Sequence, residues 1–413
     1  MLASTSLPPG REPAVFQFRD FRRFMSARFL VASASEMQSV AVGWQIYALT
    51  GRPLDLGLVG LAQFAPTIAL FLVGGHTADR YPRERVLQTC FAAFSLCSAA
   101  LLALTVRHNP VVSPMYGVLL CNGAIRAFHG PAGQAFLPLI VPPRVFPSAV
   151  AWGSSIFQAA VVLGPLAGGL VYALANGPAP VYAASGCAYL AALALLSTVR
   201  THRDRATRVE ASWNGMLDGF RYVWSNKVIL GAISLDLFAV LLGGAVALLP
   251  VYAREILNAG PTALGVLRSA PGIGALLTAA AVARWPLRRR AGAVMLWCVF
   301  GFGVFTFVFG VSRSLALSVV SLAMAGACDM VSVIIRHTVV QLSAPDRMRG
   351  RISAVNTIFI GASNEVGQFE SGLTAHWFGT IPAVLFGAIG TVTVVAVWSR
   401  LFPGLRKVDQ LTG

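Results

Sequence analysis

LVGGHTADRYPRERV, residues 72–86, sets an apolar run and a Gly pair against one Asp and three Arg crowded into Asp79–Arg85, before apolar residues resume at Val86. Only 12% of the chain is charged, so this clustering is a local exception that needs a cause. A soluble domain carries about 25% charged residues, and this chain is 56% hydrophobic over 413 residues. The stretch therefore reads as a tight loop between two membrane spans.

Outward from it, apolar segments of ~20 residues, the length that crosses a hydrocarbon core, recur from Phe24 to Leu401, about twelve in all. The expected spans are 24–49, 57–78, 86–106, 114–137, 147–174, 180–199, 228–252, 262–284, 292–311, 314–336, 351–375 and 381–401. None alternates apolar and polar residues as a lipid-exposed β-barrel strand would. The expected fold class is an all-α membrane protein.

A net charge of +16 raises nucleic acid as a partner, but the positions exclude it. With the N-terminus inside, Arg and Lys gather in the loops on one side of the membrane, which is the positive-inside pattern and puts both termini in the cytoplasm. The six cysteines all fall inside spans, so they read as small packing residues rather than a disulfide framework or a metal site. Residues 1–23 show no short apolar core or cleavage site, so no removable signal peptide is expected there.

The longest polar interruption, 200–227, divides the spans six and six. This gives a cytoplasmic segment 1–23, a first bundle 24–199, a linker 200–227, a second bundle 228–401 and a tail 402–413. In the linker, Trp213, Met216, Leu217, Phe220, Val223 and Trp224 recur at helical spacing opposite Asp218, Arg221 and Asn226, as in an amphipathic helix at the inner membrane surface. The halves also resemble each other. One alignment pairs Pro66 with Pro271, Arg83 with Arg288 and Arg85 with Arg290; another pairs Pro142 with Pro345, Arg144 with Arg347, Ala151 with Ala354, Gly164 with Gly367 and Gly169 with Gly372. Duplicated bundles of six spans place a binding site between the halves near mid-membrane.

Gly75-His-Thr-Ala-Asp79-Arg80-Tyr-Pro82-Arg83-Glu-Arg85 resembles the signature between spans two and three of the major facilitator superfamily, departing from it at Pro82, where the family usually has Gly. Arg126 within AIRAFHGPAGQAF is similar to the second family motif. Gly164-Pro165 with Gly168-Gly169 is similar to the third, associated with antiporters. SVAVGWQIYALTG, RAFHGPAGQAFLPLIVPP and RGRISAVNTIFIGASNEVGQFESG resemble the branch that includes bacterial enterobactin exporters. The resemblance implies twelve transmembrane helices in two pseudo-symmetric bundles, export by alternating access, and a siderophore or hydrophobic drug-like substrate.

The opening stretch then acquires a physical reading. Asp79 sits at the negative end of the span-two helix dipole, where a carboxylate is disfavoured without positive partners. Arg80, Arg83, Arg85 and the start of span eleven near Arg351 are candidates; in the resembling family such a contact, with Gly75, latches one conformation. Anchoring of an inner loop accounts for the Arg residues but not for Asp79.

A charge at the bilayer centre costs about 2.5–3.5 kcal/mol even on lenient scales, so such residues face cavities and carry function. They are Glu36, Arg126, Asp236, Asp329, Glu365 and Glu370, with Arg268 and Arg336 nearer span ends. Glu36 and Arg126 lie midway along spans one and four, so Glu36 is the expected site for a proton or cationic substrate and Arg126 its electrostatic tuner, the alternative being a structural pair. Glu365 and Glu370 are about 140° apart around span eleven, whose SNEVGQFE stretch is unusually polar. Asp236 and Asp329 rank lower, among neighbours able to satisfy them locally. The glycines and Pro165 of span five permit a kink and close helix approach.

No Gly-Lys-Ser/Thr phosphate loop exists, since the only lysines are Lys227 and Lys407, so ATP hydrolysis is excluded and an ion gradient, preferably of protons, remains as the driving force. No cofactor or metal is called for. Scattered histidines argue against a polytopic membrane enzyme, and no ring of polar groups suggests a channel. The expectation is a monomer in a bacterial inner membrane, its partners being the lipid bilayer, protons and a small-molecule substrate. An importer or symporter is the alternative.

Overall fold

The computed structural model describes residues 15–107, 111–199, 213–285, 290–343, 345 and 348–406. The expectations on residues 1–14, on most of the linker before Trp213 and on the tail beyond Arg406 lie outside them. Twelve spanning segments follow in order. Span one is Arg19–Thr50; span two is Pro53–Ala69 continued by Phe71–Arg80; spans three to six are Arg83–Val106, Val112–Ile140, Phe146–Leu174 and Ala179–Ser197. After a linker helix, Trp213–Ser225, span seven runs Lys227–Ile256 and spans eight to twelve are Pro261–Arg284, Ala291–Val311, Leu315–Ser343, Arg349–Phe378 and Thr380–Leu401. Span two bends by 51° at Leu70, one turn beyond Pro66, which lacks the N–H that would complete its hydrogen-bond ladder.

Among the described residues, eight helices are individually long and apolar enough to cross a bilayer, and the bent pair of span two makes nine. Spans one, four and eleven, at 32, 29 and 30 residues, are long enough yet too polar to qualify. They are the spans that carry Glu36, Arg126 and Glu365. Low hydropathy here marks helices that turn polar faces inward, away from lipid.

The two bundles are joined by span two against span eleven and by span five against span eight. Both seams are built from glycine, and they obey one rule. A Cβ on Gly169 would lie 2.6 Å from the Pro261 carbonyl oxygen and 3.0 Å from Gly265 Cα; one on Gly372 would lie 3.0 Å from the Pro53 carbonyl oxygen and 2.8 Å from Gly57 Cα. Pro53 and Pro261 each open their helix, where a missing N–H is tolerated. Within the halves, Gly164 abuts Glu36 and Ser33 of span one, while Gly367 abuts Leu241 and Val240 of span seven. The repeat pairs Gly164/Gly367 and Gly169/Gly372 thus occupy equivalent places. The pairing of Pro66 with Pro271 does not hold: Gly123 packs on the Gln63 carbonyl as its equivalent Gly326 packs on Pro271, so the register over spans two and eight is one helical turn from the proline alignment.

Bonds between the bundles gather toward the end that carries the 51–52 and 257–260 connections. The Tyr47 hydroxyl donates to the Glu255 carboxylate, and Gly43 abuts Pro250. Deeper in, Ser269 Oγ donates to the Val162 carbonyl at 2.7 Å and Gln158 Nε2 to the Gly272 carbonyl at 3.1 Å. At the opposite end the linker helix seats on the second bundle. Phe220 packs on Phe359 with ring centroids 5.6 Å apart, Val223 is buried beside Ile352, and Asp218 accepts from Arg351 at 3.0 Å.

Inside the second bundle Arg336, fully buried on span ten, forms an ion pair with Asp236 of span seven. Arg336 lies well inside its helix rather than near its end, because span ten continues to Ser343. Removing one member of a buried pair leaves an uncompensated charge, so Arg336→Met should destabilise the protein by about 3–5 kcal/mol, with Asp236→Leu in the same chain recovering part of the loss. Gly169→Leu should force spans five and eight apart at a cost of about 1–3 kcal/mol. Unfolding midpoints of the purified protein in detergent check both, and an unchanged midpoint in either single variant contradicts the packing described.

Candidate functional site

Midway between the seams, spans one, four, eight and eleven bring four charges together. Glu36 Oε2 lies 3.7 Å from Arg268 Nε, and Arg268 also donates to Ser39 Oγ at 3.1 Å. Arg126 lies 4.0 Å from Glu365 Oε1 and donates to Ser35 Oγ at 3.2 Å. Gln368 Nε2 donates to the other Glu365 oxygen at 3.2 Å. Glu365 further feels the charges of Arg268 and Glu36, so the four form one electrostatic cluster.

The cluster revises the expected pairing. Glu36 and Arg126 do share a face of the first bundle, but the partner of Glu36 is Arg268 and that of Arg126 is Glu365, both from the second bundle. Arg268 is the eighth residue of span eight by its Pro261 start, about 10 Å along the helix, which is deep enough to meet Glu36. Both pairs are half-buried and span almost the full ion-pair limit, so the carboxylates are held near their cations without being clasped by them.

Glu370 stands apart from this cluster. Thr374 Oγ1 donates to it at 2.8 Å from the next turn of the same helix. Asp236 is committed to Arg336, and Asp329, one helical face along span ten, feels both of those charges. Ser332 Oγ and Arg336 Nε, between the two acids, are buried without a hydrogen-bond partner among the described residues. Only Asp236 is ion-paired with Arg336 among the described residues; Asp329 lies within reach of its charge.

The span-five glycines converge on the same region, Gly164 against Glu36, Gly168 against Met37 and Gly169 against Gly265; Pro165 lies between them and its carbonyl faces Gly265. A side chain at Gly164 would displace Glu36 itself, since its Cβ would lie 2.6 Å from that of Glu36. At the far inner end, Asp79 and Arg80 are exposed and Asp79 makes no ion pair with a described residue. Arg83 instead donates to the Ala135 carbonyl at 2.9 Å, tying the loop to span four. Arg85 lines a groove on the outer face of spans two to four, Gly75 has open space around it, and Arg351 is taken by Asp218.

A cavity of about 380 Å³ opens from the charged cluster into the first bundle, lined by Ser35, Glu36 and Arg126 at its deep end and by Arg28, His129, Gln134 and aromatic rings beyond. Arg28 and His129 did not stand out in the sequence as site residues, and Arg268 stood out only as an embedded charge nearer a span end. Their helical spacing from Glu36, Arg126 and Gly265 is the signal that connects them, but it acquires meaning only once the helix rotations are known.

A family model described as a transmembrane secretion effector matches residues 13–411. The multidrug efflux pump Tap of Mycolicibacterium fortuitum is 28% identical over 402 residues, covering 90% of this chain and 92% of that protein. The enterobactin exporter EntS of Shigella boydii serotype 18 is 28% identical over 398 residues, covering 95% and 90%. Among solved structures, a bacterial homolog of the human lysosomal transporter Spinster, inward-facing and occupied, has a TM-score of 0.74 at 13% identity, covering 96% of this chain and 99% of that one. The nucleoside transporter NupG has a TM-score of 0.69 at 14% identity, covering 93% and 99%. These structures share the fold. With the family match running almost end to end, the chain belongs to the transmembrane secretion effector family of the major facilitator superfamily and is a multi-span membrane transporter rather than an enzyme.

Proposed function

We propose that this protein exports small molecules across the bacterial inner membrane by alternating access, in exchange for protons. The two crossing ion pairs carry the proposal. A proton arriving at Glu36 removes the charge that holds Arg268, and one arriving at Glu365 does the same for Arg126, so each proton loosens a bond between the bundles. Deprotonation restores it. Acid groups at the interface of two moving bodies are thereby able to couple a proton gradient to their relative position. The functions of the relatives, multidrug efflux and enterobactin export, support export as the direction and a drug-like compound or a siderophore as the substrate class.

The moving bodies are residues 24–199 and 228–401, tethered by 200–227, in a monomer with both termini cytoplasmic. The seam at the 51–52 end, with Tyr47 on Glu255, then closes the outer side and leaves the inner ends apart. In the reverse state the inner ends meet. Asp79 gains the start of span eleven, where Arg351 exchanges Asp218 for it, and the exposed carboxylate at the end of span two finds its cation. Asp236 and Asp329, two acids to one Arg336, are a reserve site for a second proton.

The test compares small molecules retained by cells with and without the protein, then measures flux of the retained compound in proteoliposomes under an imposed pH gradient. Glu36→Gln should abolish gradient-driven flux while keeping its unfolding midpoint. Full flux in that variant removes Glu36 from the coupling. Flux of compound in the same direction as protons replaces export with symport. Asp79→Asn should slow turnover several-fold with little change in ligand affinity, and an unaltered turnover number rejects the latch.

A further inference from the structure

Arg28 is the exception to a rule that the other buried guanidiniums obey. Arg126 has Glu365, Arg268 has Glu36 and Arg336 has Asp236. Arg28, half-buried on span one about 12 Å toward the inner end from Glu36, makes no ion pair or hydrogen bond with any described residue, and no carboxylate acts on its charge. It is nonetheless accommodated with care. A Cβ on Gly153 of span five would lie 3.1 Å from Arg28 Nη1, so any side chain there would push the tip of the guanidinium by a few tenths of an ångström.

The cavity it enters holds Glu36 and Arg126 at its deep end, and aromatic rings line the part between them and Arg28. His129 of span four lies between the rings of Phe91 and Phe94, each 5.8 Å away between centroids, and Tyr189 stacks on Phe94 at 5.3 Å with planes 25° apart. Phe157 lines the cavity from span five. The His129 ring makes no hydrogen bond to a described residue, and both Arg28 and Arg126 are near enough to act on it. A half-buried guanidinium without a counter-charge among the described residues, facing flat aromatic walls, matches a ligand that brings both a negative charge and a flat ring. About 380 Å³ is within the range of small-molecule pockets and accommodates a bicyclic acid.

We propose that this first-bundle cavity is a binding site for aromatic anions, in which Arg28 pairs with the carboxylate or phenolate and the Phe91, Phe94, Phe157 and Tyr189 rings receive the planar part. This deepens the export reading by naming the substrate class, and it rests on that reading only for its direction of transport. The anion replaces the missing counter-charge of Arg28 and lies next to the Glu36–Arg268 pair at the deep end, where its arrival and a proton's departure are felt by the same charges.

The experiment is calorimetric titration of the full chain in detergent micelles, without a gradient, using four probes: 1-naphthoate, 1-naphthalenemethanol, 1-naphthylmethylamine and octanoate. Naphthoate should bind about tenfold or more tightly than the alcohol, the factor a single charge-assisted hydrogen bond supplies, and more tightly than the amine or octanoate. Arg28→Gln should bring naphthoate down to the level of the alcohol while leaving the alcohol unchanged, and Arg28→Lys should retain part of the preference. Gly153→Ala, which keeps the charge but crowds Nη1, should weaken naphthoate selectively and serves if Arg28→Gln fails to fold. Equal affinities for naphthoate and the amine, naphthoate no tighter than octanoate, or an undiminished anion preference in both Arg28→Gln and Gly153→Ala overturns the proposal. Because no flux is measured, a preference that survives alongside absent proton-coupled transport refutes the export reading and leaves this site standing.

Discussion

A charge that enters the hydrocarbon layer must bring its opposite with it, and the interior of this protein is arranged around that requirement. Three of its embedded guanidiniums have a carboxylate, and the choice of partner divides them into two kinds. Arg336 and Asp236 belong to one bundle and tie spans seven and ten of that bundle together. Glu36 with Arg268, and Arg126 with Glu365, reach across from one bundle to the other. The first kind stabilises a unit. The second kind makes the relation between units depend on ionisation.

Close approach of the bundles depends on a second feature, the absence of side chains where helices cross. Without a hydrophobic drive between helices in lipid, tight packing of small residues does that work. The Pro-to-Gly spacing of Pro53–Gly57 and Pro261–Gly265 presents the same bare surface to Gly372 and Gly169, so the seams are copies related by the internal duplication. Gly164 links the seam to the charge: the helix that touches span eight also sets how deeply Glu36 can sit. Any bulk added there changes both packing and electrostatics.

The spans were legible in the sequence to within several residues, because a ~20-residue apolar run has few alternative fates. So was the identity of the embedded acids, which stand out against so apolar a background. What one strand of sequence withholds is rotation. Glu36 and Arg126 lie at similar depth, yet their partners come from the other half, and nothing in a linear reading orients span eight toward Glu36. Arg28 was hidden, and Arg268 ranked below the embedded acids, for a related reason, since a basic residue within a few turns of a span end looks like an anchor. The proline alignment of spans two and eight failed by one turn because Ala-, Leu- and Gly-rich helices match one another in several registers; the packing glycines, which bear steric consequences, fixed the correct one. Asp79 announced itself as a residue needing a cation, but its neighbours Arg83 and Arg351 are engaged elsewhere in this arrangement.

Each of the two crossing pairs sums to zero. Moving either pair intact through the membrane field would therefore carry no net charge, whereas one unpaired elementary charge crossing 100 mV would exchange about 2.3 kcal/mol with the potential. Those two pairs are then indifferent to voltage, and Arg28, which has no counter-charge among the described residues, is the embedded guanidinium on which a membrane potential acts.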